Sequence, residues 1–282
     1  MKTQTYTLEV ITPCFCAGAD QPRAEIRAPS IRGELRWWFR ALGGSAIQEA
    51  EVFGGVHDVA KGSKVLVRVS DFKQAAEWNP PQRLNPFQDP SAYIWYYASA
   101  SGKKQGAAGH GPRWTSKGCV PPGSTFQMQV KVIRPLTEDL RRRFVDALDC
   151  FLHLGSLGLR MTRGLGAFAC HERRWTEDSQ AKIEAILAEA GFGFHMVEGS
   201  AGQWQQAVEQ SALTLRELRK NHPAGKNGDI PSPLGSSRPR QTSAVRLRPI
   251  RIGKDQYKLV KFEAPANRVL GQPSSIGAPV LR

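Results

Sequence analysis

The stretch Arg27–Gly44, RAPSIRGELRWWFRALGG, decides how this chain of 282 residues is read. Ser30 after Pro29 has the chemistry of an N-cap, Glu34 falls in the first turns, and Gly43 with Gly44 supplies the stop, so a helix of about three turns is predicted between them. At about 100° per residue, Ile31, Leu35, Trp38, Phe39 and Leu42 share one sector, and Arg32, Arg36 and Arg40 form a stripe beside it. The apolar sector faces a core. The arginine row, with Glu34 as its only nearby acid, then lies along the edge where the helix leaves its sheet, with guanidinium groups about one turn apart. That spacing suits a polyanion backbone. A solvated face whose arginine stems cover tryptophan fits the same pattern.

Upstream, Tyr6, Leu8 and Val10 alternate with Thr5, Thr7 and Glu9, which predicts a strand from Thr5 to Ile11. The segment 13–29 between strand and helix, PCFCAGADQPRAEIRAP, is a loop too polar for the core and long enough to be a working surface. Downstream, Glu51 to Gly55 marks a turn and Lys64 to Val69 alternates as a second strand. Residues 72–124 form an insertion in which prolines surround the aromatic run Tyr93 to Tyr97, followed by a stretch of low complexity. A third strand follows at Phe126 to Val132. Thr137 caps a helix whose core face is Leu140, Phe144, Ala147, Leu148, Phe151 and Leu154, and Gly155 ends it. The loop GSLGLRMTRGLG (155–166) leads into a fourth strand, Phe168 to Cys170.

Strand, helix, strand, insertion, strand, helix, strand is the split βαβ pattern of a ferredoxin-like domain, an α+β fold with an antiparallel sheet backed by two helices. Its expected span is 1–175. Residues 176–282 read as helices near 178–190 and 203–220, a turn-rich loop, and strands. Val245 and Leu247 alternate with Arg246 and Arg248, and a hairpin over Ile250 to Lys261 turns at Gly253 to Gln256, packed on or extending the first domain.

Composition narrows function. A net charge of +14, from 39 Lys and Arg against 25 Asp and Glu, favours a nucleic acid or another polyanion as partner. Neither a membrane-length apolar run nor a signal peptide pattern is present, so a cytoplasmic protein without a membrane partner is expected. Five scattered cysteines and six histidines show no metal-ligand spacing and no disulfide pattern, so no metal or cofactor is expected.

Basic residues cluster in four places. Arg27, Arg32, Arg36 and Arg40 belong to the helix, and Arg160 and Arg163 lie among four glycines in the 155–166 loop, where glycine lets backbone approach phosphate. The same glycines fit a plain tight turn. Lys103, Lys104, Arg113 and Trp114 in the insertion combine cations with a ring that can stack on a base. Arg238, Arg240, Arg246, Arg248 and Arg251 form the densest run, for which a solvated strand face, a subunit contact or RNA serve equally. In a ferredoxin-like order, the glycine loop and the start of the arginine helix border one sheet edge. Asp20 and Glu25, in the loop before that helix, are where a carboxylate could position a hydroxyl or a metal for RNA cleavage.

The run EIRAPSIRGELRWWFRALGG with the downstream EVFGG, the loop GLRMTRGLGAF, and SSRPRQTSAVRLRPI with its hairpin together resemble the RAMP proteins of CRISPR systems, and among them the family of first subunits of type III-B Cmr effector complexes. The resemblance implies a ferredoxin-like RAMP domain, with a second, degenerate copy in the C-terminal half. It also implies a non-catalytic subunit that binds guide RNA near its 3′ end and target RNA in antiviral defence, beside other protein subunits and with no small-molecule substrate. Arg32, Arg36, Arg40, Arg160 and Arg163 inherit RNA contact by that likeness. Asp20 or Glu25 stand where related backbone subunits carry a cleaving acid, in no convincing copy of that motif, so an endoribonuclease is the alternative.

Overall fold

The first strand is held from both sides, because its apolar residues face helices while both its edges find partners. The computed structural model describes residues 3–16, 18, 23–56, 60–81, 89, 91–95, 118–223, 232–237, 240–270 and 278–281. Within them β1 (Gln4–Val10) is followed by α1 (Ala28–Ala41), α2 (Ala46–Phe53), β2 (Val65–Lys73), α3 (Ala92–Trp95), β3 (Thr125–Val132), α4 (Glu138–Leu154) and β4 (Phe168–Cys170). These four strands form one antiparallel sheet in the order β2-β3-β1-β4. That is the ferredoxin-like arrangement expected from the βαββαβ order. Tyr6, Leu8, Val10, Phe126, Met128 and Val130 are buried on one face, against Ile31, Leu35, Trp38 and Phe39 of α1 and the apolar face of α4.

The second half contains α5 (Glu177–Glu189), β5 (Gly193–Met196), α6 (Trp204–Asn221), β6 (Ser236–Ser237), β7 (Arg240–Gln241), β8 (Val245–Gly253), β9 (Gln256–Glu263) and α7 (Ala266–Val269). Its three-stranded sheet runs β5-β9-β8. With β5, α6, β8 and β9 taken as strand, helix, strand, strand, this repeats the first sheet's order of first, third and second strand, with no fourth among the described residues. It is a degenerate ferredoxin-like unit. The two units share a core: Trp38 stacks on Phe192 and Phe262, with ring centroids 6.0 and 5.4 Å apart.

Several local expectations change. α1 begins at Ala28 with Arg27 at its N-cap and Ser30 inside the helix. Pro29 explains the shift, since proline fits within a first helical turn, where no backbone N–H is needed. Glu51 to Phe53 is not a turn but the end of α2, whose start is a capping box between Ser45 and Gln48. The turn comes at Gly54, at a φ of 77°. Pro13, Cys14 and Phe15, in the loop read as too polar for the core, are buried. Strand β8 runs through Pro249, which its place at a sheet edge permits. β5, unforeseen in the sequence, pairs with β9. From the aromatic run 93–97, the described part up to Trp95 lies in α3.

A candidate nucleic-acid interface on the first helix

α1 projects Arg32, Arg36 and Arg40 toward α2 rather than along an open sheet edge. Arg32 donates to the carbonyl of Phe53, and Arg36 Nε and Arg40 Nη1 both reach the carboxylate of Glu49, the latter at 2.7 Å. Glu34 is therefore not the acid that faces the row. It turns instead to Arg246, whose Nη1 donates to its Oε2 at 2.8 Å while the guanidinium lies 3.4 Å from the centroid of the Trp37 ring. The Glu49 side chain is nearly buried, at 6% exposure, whereas those of Arg36 and Arg40 keep 34% and 39%. One carboxylate thus fixes two guanidinium groups from below and leaves their outer edges in water. Three arginines against one acid leave the patch positive, with donors still available for an oxyanion.

At the start of α1, exposed Arg27 borders a shallow groove shared with β2, lined by Glu25, Pro29, Arg68, Ser70 and Phe72. The N-cap side chain makes no capping bond, Pro29 has no N–H and the Ser30 N–H is taken by the Arg27 carbonyl at 3.0 Å, so what this end of α1 presents beside the groove is the positive end of the helix dipole. Arg68, which sequence reading did not single out, lies exposed across from Arg27 on the edge strand. Glu25 is exposed and donates its backbone N–H to the Cys16 carbonyl at 3.0 Å.

The glycine loop does border the segment before α1: Leu159 N–H bonds the Phe15 carbonyl at 2.8 Å, and Gly166 N–H bonds that of Pro13 at 2.9 Å. Its glycines, however, serve the chain's own packing. A Cβ at Gly158 would come within 2.5 Å of the Phe15 carbonyl oxygen, and one at Gly166 within 1.7 Å of that of Leu157, both at positive φ. The tight-turn reading accounts for them. Arg163 corrects the expected pair of surface arginines: it is buried and donates to the Leu234 carbonyl at 2.8 Å, beneath a parallel bridge to Leu247. Arg160, half-exposed at a φ of 59°, stays at the loop tip beside exposed Leu159.

The basic run in β8 is not a solvated face either. Arg248 is 1% exposed and donates to the carbonyls of Gly155, Pro249 and Phe168, and Arg251 forks onto Glu9. Burial draws the Arg248 guanidinium down to about 9, which leaves it charged at neutral pH. Arg246, Arg248 and Arg251 join the two units. Arg240 lies in β7, while Asp20, Lys103, Lys104, Arg113, Trp114 and Arg238 lie outside the described residues. Among the described residues, no three His, Cys, Asp or Glu side chains are grouped to hold a metal ion, and no helix is long and apolar enough to cross a membrane.

A family model described as the RAMP superfamily matches residues 7–169, the first ferredoxin-like unit. Two curated proteins of Pyrococcus furiosus are similar. The CRISPR system Cmr subunit Cmr1-1 is 32% identical over 177 residues, covering 58% of this chain and 44% of that protein. Cmr subunit Cmr1-2 is 28% identical over 185 residues, covering 57% of this chain and 91% of that one. The match thus spans less than half the length of the first relative. Among solved structures, the crystal structure of Cmr1 from Pyrococcus furiosus in its apo form aligns over 100% of this chain and 92% of its own, with a TM-score of 0.54 and 21% identity. A chain in the cryo-EM structure of the type III-B Cmr-beta bound to cognate target RNA aligns over 93% and 94%, with a TM-score of 0.55 and 11% identity. At those identities the likeness is one of fold.

Proposed function

This chain belongs to the RAMP superfamily, and we propose that it serves as a non-catalytic RNA-binding subunit of a type III-B CRISPR ribonucleoprotein, touching guide RNA toward its 3′ end and target RNA in antiviral defence. The arginine row of α1 carries this reading. Its guanidinium groups stand one helical turn apart, Glu49 and the Phe53 carbonyl hold them in rank from one side, and their outer edges are free of any need to reorganise before meeting phosphates. Arg27 at the helix start and the half-exposed Arg160 at the loop tip are further proposed contacts. Lys103, Lys104, Arg113, Trp114 and Arg240 remain proposed contacts on sequence grounds. The likeness to Cmr1 proteins and to a chain of an RNA-bound Cmr assembly supports the choice of RNA and of protein neighbours from that complex.

Photo-crosslinking tests it. The chain, assembled with type III-B subunits on guide RNA carrying 4-thiouridine toward its 3′ end, is expected to yield adducts on peptides from 27–40 that vanish in Arg36→Ala with Arg40→Ala. Adducts confined to other subunits would overturn the reading, and discrete RNA products made by the isolated chain would overturn its non-catalytic part.

A further inference from the structure

A second cleft lies away from the arginine row, between the exit of β4 and the β8–β9 hairpin, with a volume of about 440 Å³. It uses no residue of α1 or of the 155–166 loop. Its size falls in the range of small-ligand pockets, which is room enough for one nucleotide. Phe168 and Ile250 give it an apolar floor, and half-buried Trp175 forms a wall edge-on to His153, with ring centroids 5.9 Å apart.

His153 is the feature that packing leaves unexplained. It is 8% exposed, and its Nδ1 sits 2.8 Å from the Asp149 carbonyl oxygen. A carbonyl only accepts, so Nδ1 carries the proton and Nε2 is left as a bare acceptor. Nε2 is buried and has no hydrogen-bond partner among the described residues. Burial pulls the imidazole below its ordinary value, which keeps it neutral and keeps that lone pair open. A buried acceptor without a donor is costly and calls for one.

The rim is cationic. Arg173, Arg174, Arg251 and Lys254 line it against the single acid Asp255. Arg251 is committed to Glu9, and Arg173 lies 3.8 Å from Asp149. Arg174 and Lys254, both exposed, form no ion pair with any described residue. The cleft is therefore lined by a residue with a buried, unpartnered acceptor, a ring on its wall and two cations at its mouth.

We propose that this cleft binds one ribose phosphate unit, a sugar hydroxyl donating to His153 Nε2 and the phosphate resting between Arg174 and Lys254. Ribose and phosphate are adjacent in a nucleotide, so a single unit spans base and mouth. A phosphate ion held between the two cations at the mouth would leave His153 unserved. The same chemistry comes from a free nucleotide or from one residue of an RNA chain.

The full-length chain titrated with AMP, 2′,3′-dideoxyadenosine monophosphate and a ten-residue oligouridylate, read by saturation-transfer NMR, tests the site. AMP is expected to bind saturably and about three- to tenfold tighter than the dideoxy analogue, the worth of one hydrogen bond. His153→Phe should bring AMP to the analogue's level, and Arg174→Glu with Lys254→Glu should weaken both ligands by tenfold or more. The exposed pair keeps the test open if His153→Phe does not fold. Tighter binding of the oligomer would identify the source as an RNA chain, and tighter binding of AMP a free nucleotide. Absence of saturable AMP binding, equal affinity for the two monophosphates, or indifference to the Arg174 and Lys254 changes would each overturn the site, while salt-dependent RNA binding through α1 would stand untouched.

Discussion

Arg251 grips Glu9 with both terminal nitrogens, Nη1 to Oε1 at 2.6 Å and Nη2 to Oε2 at 2.9 Å, and so ties β8 of the second sheet to β1 of the first. Burial pushes the Glu9 carboxyl up, but the bonds from Arg251 and His171 outweigh it and hold the group below its ordinary value. A carboxylate depressed in the folded state stabilises the fold above its unfolded value, about 4.3, and that stability is lost as pH falls through the lower folded value. The urea midpoint of the wild type should therefore drop between pH 5 and pH 3. Glu9→Gln should start lower at pH 7 and fall less steeply over that window. Parallel curves would show that the pair does not couple the units.

Arg248 makes the second link, and its partners are all neutral carbonyls, those of Gly155 and Phe168 in the first unit and that of Pro249 in its own strand. Arg248→Met keeps much of the volume and strands those acceptors in the interior, so chemical denaturation should report a loss of about 3–5 kcal/mol. Arg248→Lys should recover only part of it, because a single ammonium cannot spread over the same fork. A loss under about 1 kcal/mol for the methionine variant would mean that these bonds are not made in solution.

Gly33 lies on the stripe of Arg36 and Arg40, three and seven residues before them, exposed, and a Cβ there would meet nothing within 4 Å. The fold has no use for a glycine at that point, and alanine in a helix interior is favoured by about 1 kcal/mol. Gly33→Ala should raise the unfolding free energy by about that much and weaken single-stranded RNA binding, because it fills a gap beside the phosphate track. Greater stability with unchanged RNA affinity would place the RNA elsewhere on α1.

Local sequence carried the first unit well, for reasons visible at particular residues. β1 and β3 alternate cleanly because one of their faces is buried, and Thr137 with Gly155 brackets α4 through ordinary capping chemistry. α2 was legible in principle, since Ser45 and Gln48 stand at capping-box spacing, but the glycines after it drew the segment toward a turn. Missing α2 hid Glu49, and with it the partner of the arginine row. β8 ran past Pro249 because an edge strand tolerates a missing donor, and β5, four residues long, exists only through its pairing with β9. The arginines of β8 alternate like a wet face. Their burial depends on Glu9, Glu34, Gly155 and Phe168, residues far away in the chain that meet only when the two sheets pack, and no local pattern records that meeting.

The most direct test of the arginine row is the salt dependence of single-stranded RNA binding by the wild type and by Arg36→Ala with Arg40→Ala. Each phosphate neutralised contributes about −0.7 to the slope of log affinity against log salt. The double variant should therefore flatten the slope by about 1.4 while keeping its fold by circular dichroism. A slope and affinity equal to those of the wild type would contradict the account.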